Sequence, residues 1–120
     1  MKKEWVDISV MKGEVIKNII NNDNEELIFE CESGYHYKMY HEQDCCESVR
    51  IEDLSCDINR LVGEKVIEAY SSSKEGDEDN WGSSTWTFYT INTLNTSLTI
   101  RWLGESNGYY SEGVSFLKIG

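Results

Sequence analysis

The last third of the chain constrains the fold most, because three β-prone segments follow one another with no helical period between them. They are Thr85-Trp86-Thr87-Phe88-Tyr89-Thr90-Ile91, Leu98-Thr99-Ile100-Arg101-Trp102-Leu103 and Val114-Ser115-Phe116-Leu117. β-Branched and aromatic residues fit a pleated, half-buried surface, and the turn-prone stretch 92–95 joins the first two segments as a hairpin. The same pattern recurs upstream. Residues 15–20 read as a strand closed by Asn21-Asn22-Asp23-Asn24. Residues 27–31 place Leu27, Phe29 and Cys31 on one face, Ser33-Gly34 turns the chain, and residues 35–40 return with period-two alternation. Residues 49–53 continue it with Val49 and Ile51 inward, and residues 66–70 form a further strand.

Helical signals are short. Residues 7–12 end at Gly13, and residues 57–63 combine a capping Asp57, an apolar side and a terminal Gly63, so each predicts a turn or two. No long crossover helix and no Gly-rich phosphate loop occur, which argues against a Rossmann or P-loop fold. The expected fold is α+β but mostly β: a single curled antiparallel sheet of roughly six or seven strands with one or two short helices. At 120 residues the chain is expected to be a single compact domain over 1–120. The longest loop-like stretch is 71–84, whose acid run Glu75, Asp77, Glu78 and Asp79 reads as solvated surface. Asp77, Asp79 and Gly82 imitate only part of a calcium loop.

Charge and cysteine usage narrow the function classes. Twenty-two acidic against 11 basic side chains give a formal charge of −11, which repels nucleic-acid phosphates and argues against direct DNA or RNA binding. The same charge suits a basic protein surface, including a groove built for nucleic acid that an acidic competitor occupies. The start, Met1-Lys2-Lys3-Glu4-Trp5, runs into charge instead of an apolar leader, and no apolar run is long enough to span a membrane. A cytoplasmic location is therefore expected, with the four cysteines at 31, 45, 46 and 56 as free thiols.

The densest cluster of reactive side chains is Tyr40-His41-Glu42-Gln43-Asp44-Cys45-Cys46-Glu47. His41 with Cys45 or Cys46, oriented by Asp44 or Glu47, supplies the residue types of a thiol or ligand site. Adjacent thiols in a strand point to opposite sides, and no paired CxxC supports zinc, so neither a metal nor a cofactor is expected. No catalytic residue is assigned, and the balance is against an enzyme. Glu52, Asp53, Glu68 and Glu112 offer carboxylates of the kind any acidic chain supplies by chance. A second notable segment is 101–112, where Asn107-Gly108 signals a turn and Tyr109 and Tyr110 follow it. Trp86, Arg101, Trp102, Tyr109 and Tyr110 are candidate recognition anchors, with Arg101 either a partner to Glu105 or a contact for an anion.

Met39-Tyr40-His41-Glu42-Gln43-Asp44-Cys45-Cys46-Glu47-Ser48-Val49, Ile51-Glu52-Asp53, Trp86-Thr87-Phe88-Tyr89 and Thr99-Ile100-Arg101-Trp102-Leu103-Gly104-Glu105-Ser106-Asn107-Gly108-Tyr109-Tyr110-Ser111 together resemble a small domain of unknown function often encoded by bacteriophages. Ser55-Cys56-Asp57 departs from the Gly-Asp form associated with that family, which makes Cys56 a poor family-wide metal ligand. The resemblance implies a phage or prophage accessory protein in a host bacterial cytoplasm, with no activity attached. Three functional expectations follow. The first is an acidic binding protein that inhibits a bacterial host or defence protein through Glu75, Asp77, Glu78, Asp79 and the aromatic anchors. The second is a small-ligand, metal-binding or thiol-dependent protein centred on His41, Cys45, Cys46 and Arg101. The third is a phage structural or assembly component that forms a homo-oligomer.

Overall fold

The computed structural model describes residues 4–76, 82–108 and 110–119. Four of the expected binding residues, Asp77, Glu78, Asp79 and Tyr109, lie outside the described residues. Nine strands follow in chain order: β1 (Glu4–Trp5), β2 (Ile16–Asn22), β3 (Glu26–Cys31), β4 (His36–Tyr40), β5 (Ser48–Leu54), β6 (Val66–Glu75), β7 (Ser83–Thr93), β8 (Ser97–Ser106) and β9 (Ser115–Lys118). Both expected helices are single 3-10 turns, Ile8–Met11 and Ile58–Leu61, each N-capped by an aspartate, Asp7 or Asp57. The chain is mostly β, as its alternation predicts. It does not build one curled sheet, however, but two antiparallel ones, ordered β1-β9-β4-β3-β2 and β5-β8-β7-β6.

The reason for two sheets is an internal duplication that reading the chain segment by segment does not reveal. Asp7-Ile8-Ser9-Val10-Met11-Lys12-Gly13-Glu14-Val15-Ile16 aligns with Asp57-Ile58-Asn59-Arg60-Leu61-Val62-Gly63-Glu64-Lys65-Val66. In each half a capped 3-10 turn leads to three meandering strands, β2-β3-β4 or β6-β7-β8, and a fourth strand leaves for the other half's sheet. Thus β5 pairs with β8 and β9 pairs with β4. The halves meet in a reciprocal set of backbone bonds: Gly13 N–H donates to Val66 O at 2.8 Å and Gly63 N–H to Ile16 O at 2.7 Å. Val66 N–H donates to Glu14 O at 2.8 Å and Ile16 N–H to Glu64 O at 3.1 Å. Gly13 and Gly63 both sit at positive φ, +93° and +86°, where a Cβ would strain the backbone.

One core runs between the sheets. Leu27, Phe29 and Cys31 are buried on β3, Val49 and Ile51 on β5, and Tyr89, Ile91, Leu98, Ile100 and Trp102 on β7 and β8. The exchanged strand β9 contributes Phe116, whose ring stacks on Tyr37 at 5.6 Å and lies 6.5 Å from Phe29 and 6.3 Å from Tyr89. Trp102 is a correction to the sequence reading. It is a fully buried core residue whose Nε1–H points at Met39 Sδ, and it is no recognition anchor.

The expected loop at 71–84 is also corrected. The Ser-rich residues 71–75 are the second half of β6, because the long β7 offers a continuous partner, register Ser71↔Tyr89 to Glu75↔Thr85. In the three-residue connection between Asn22 and Glu26, Asp23 and Asn24 sit at φ 55° and 61°, the left-handed backbone that Asp and Asn tolerate. No helix among the described residues is long and apolar enough to cross a membrane.

Candidate functional site

Two crossovers carry the chain between sheets, residues 41–47 from β4 to β5 and residues 107–114 from β8 to β9. Each contains one buried glutamate. Glu47 sits immediately before β5. Its Oε2 accepts from His41 Nε2 at 2.7 Å and from the Asp44 N–H at 2.9 Å, and its Oε1 accepts from the Cys45 N–H at 2.9 Å and Gln43 Nε2 at 3.3 Å. The second ring nitrogen of His41, Nδ1, faces the carbonyl of Gly113 at 2.7 Å. That oxygen can only accept, so Nδ1 carries a proton. The hydrogen bond from His41, with the backbone N–H groups adding to it, outweighs burial and holds the Glu47 carboxyl down at about 2. The ring is thus held at both nitrogens, between the Glu47 carboxylate and the Gly113 carbonyl, with the His41 and Glu47 side chains almost fully buried.

This geometry corrects the expected thiol site. Both nitrogens of His41 are committed, to Glu47 and to Gly113, and neither faces a cysteine sulfur. Asp44 is exposed and contributes its backbone N–H instead of a carboxylate. Cys45 and Cys46 lie in the crossover, outside any strand, and are joined Sγ to Sγ, whereas the sequence reading had all four thiols free. The free thiols are Cys31, buried, and Cys56, half-buried. Burial pushes the Cys31 thiol up to about 12, and Glu14 adds to the shift. Among the described residues, no three of His, Cys, Asp and Glu converge on a metal-sized position.

The counterpart is Glu112. Its carboxylate accepts from the hydroxyls of Ser83 and Ser106, and from Thr85 Oγ1 at 2.8 Å. Burial pulls its carboxyl upward, but the three hydroxyls together prevail and leave it below the ordinary glutamate range. Backbone packs tightly here: a Cβ on Gly104 would lie 2.4 Å from the Glu112 carbonyl oxygen. Glu112 entered the sequence reading only as one acid among many. The available signal was the period-two hydroxyls Ser83 and Thr85, which alternate toward one face of β7.

Two of the candidate recognition residues, Trp86 and Arg101, lie elsewhere, on the solvent side of the second sheet. Because Thr87, Tyr89, Ile100 and Trp102 face the core, Trp86, Phe88, Arg101 and Leu103 face outward. Trp86 lies opposite Leu103 across the β7–β8 pair, and the Arg101 guanidinium rests 5.1 Å from the Trp86 ring centroid. Glu105, the expected partner of Arg101, pairs instead with Arg50 at 3.6 Å, and Arg50 also reaches Glu52 at 3.3 Å. Trp86 and Leu103 floor an open depression of about 590 Å³ rimmed by Cys46, Ser48, Ser84, Glu105 and Ser106. Glu75 is exposed at the end of β6, and Tyr110 is half-buried. The structure therefore brings Trp86 and Arg101 together and separates both from Trp102, which lies on the opposite face of β8.

Residues 6–116 match the family model described as Domain of unknown function (DUF7448). No curated protein matches the chain, and no solved structure matches it.

Proposed function

The chain belongs to the DUF7448 family of unknown function, and from that premise we propose that it is a phage-encoded accessory binding protein that engages a host or defence protein in the bacterial cytoplasm. The observation that carries this reading is the outward pairing of Trp86 with Arg101 beside Leu103, on a sheet whose other face already fills the core. Trp and Arg dominate binding energetics where they sit in a depression that a partner seals from water. Ser48, Ser84 and Glu105 supply a polar rim. The partner's own charge follows from the net −11 of this chain: a basic surface is drawn in over distance, and its apolar side chains then cover Trp86 and Leu103.

The test is affinity capture from host lysate with the wild-type protein and with Trp86→Ala, Arg101→Glu and Glu75→Lys variants, each first shown to unfold at the wild-type temperature. A single basic host protein retained by the wild type, lost with Trp86→Ala and weakened by the two charge reversals supports the reading. Equal capture by all four proteins removes this face from consideration.

A further inference from the structure

We propose that Cys45 and Cys46 are a reversible two-electron dithiol–disulfide couple whose co-reactant is a small dithiol. Three observations carry this. First, both residues are exposed and their sulfurs are bonded to each other, so either sulfur is open to an attacking thiolate. Second, the backbone around them is held by groups that take no part in the exchange. Glu47 accepts the N–H groups of Asp44 and Cys45, and Gln43 Nε2 donates to Cys45 O at 3.2 Å and to Glu47 O at 2.7 Å. Glu47 is itself held by His41. Opening the bond therefore leaves the two Cα positions in place, and the thiols stay near each other at a high effective concentration for reclosure. Third, the chain's other thiols are shielded: Cys31 is buried in the core, and Cys56 is half-buried with its sulfur toward Ser97 O.

The exchange balances as follows. One thiolate of the small dithiol attacks one cysteine Sγ, the Sγ–Sγ bond breaks, and the other cysteine leaves as a thiolate that takes up a proton. The second thiol of the reagent then attacks the mixed disulfide and releases the remaining cysteine. The protein gains two protons and two electrons, and the reagent, having lost the same, ends as a cyclic disulfide. The inference stands apart from the partner-binding reading, although Cys46 lies on the rim of the Trp86 depression.

The protein of residues 1–120, purified without reductant, tests it by native alkylation with iodoacetamide followed by intact-mass and peptide-mass analysis. Before reduction, the peptide carrying Cys45 and Cys46 takes no label; after dithiothreitol it takes two; after removal of dithiothreitol and treatment with diamide it again takes none, with no covalent dimer formed. Phenylarsine oxide, which bridges two neighbouring thiolates with loss of water, binds the reduced protein one to one and fails to bind Cys45→Ser or Cys46→Ser. Full labelling that diamide does not reverse overturns the proposal. So does covalent dimer formation on oxidation, or arsenical binding that survives both serine variants.

Discussion

The two crossovers present the same physical problem, a carboxylate withdrawn from water where a strand leaves one sheet for the other, and they solve it with different chemistry. Glu47 is matched by the His41 ring and two backbone N–H groups. Glu112 is matched by the hydroxyls of Ser83, Thr85 and Ser106, which are neutral. A buried ring fixed at both nitrogens holds a carboxylate firmly but is left with an unmade hydrogen bond once the carboxylate is removed. Hydroxyls are weaker donors, yet they turn to other acceptors when the carboxylate is lost. The difference predicts that the first crossover responds steeply to mutation and the second gradually.

The largest effect is expected from Glu47→Ala, which strands the buried His41 ring with no acceptor at Nε2 and frees the N–H groups of Asp44 and Cys45. Thermal unfolding should show a greater fall in Tm than for Glu112→Ala, whose cost is about 1–3 kcal/mol for the unmade hydrogen bonds. The reverse order would break the comparison. Next is Gly104→Ala, where the new Cβ would meet the Glu112 backbone at 2.4 Å, against Gly113→Ala, whose Cβ would find only Ser111 Oγ at 3.7 Å. The former should cost about 1–3 kcal/mol in urea unfolding by forcing the second crossover off β8. The latter should stay close to wild type.

Acid unfolding sharpens the contrast further. The folded Glu47 carboxyl is held at about 2, below its unfolded value of 4.5, so its contribution is fully present above pH 4.5 and is lost as pH falls toward 2. Glu112 is shifted in the same direction. Stability should therefore fall through this window in the wild type, and Glu47→Gln should flatten the slope more than Glu112→Gln does. An unchanged slope in Glu47→Gln would mean that the imidazole is not the dominant partner. The smallest effect belongs to Thr85→Val, which removes one of three hydroxyls from Glu112 and should cost about 0.5–1.5 kcal/mol.

Much of the local structure was legible in the residues. Leu27, Phe29 and Cys31 alternate inward on β3 as their spacing predicts, and Asp7 and Asp57 cap short turns that end at Gly13 and Gly63. The candidate sites were legible only as residue types. His41 and the two cysteines are close in sequence, but the ring turns away from the sulfurs, because Gly113, seventy-two positions on, supplies a carbonyl to one of its nitrogens. Trp86, Arg101 and Trp102 were grouped as anchors, and strand polarity then divided them, since Arg101 and Trp102 are neighbours that must face opposite ways. The repeat at 7–16 and 57–66 was present in the letters and is visible only when the halves are laid side by side.

What the sequence determined by itself is the set of strands, turns and caps, because each depends on side-chain alternation and backbone preference within a few residues. Tertiary structure alone decided which sheet each strand joins. An isolated β5 or β9 has the same alternation whichever neighbour it takes; its partner is chosen by closure of contacts far apart in the chain, where Phe116 meets Tyr37 and Ile51 lies opposite Trp102. The same closure seats the two glutamates: the Gly113 carbonyl fixes the far side of the His41 ring that meets Glu47, and Ser83 and Thr85 reach Glu112 from β7, because a buried carboxylate needs donors already in place.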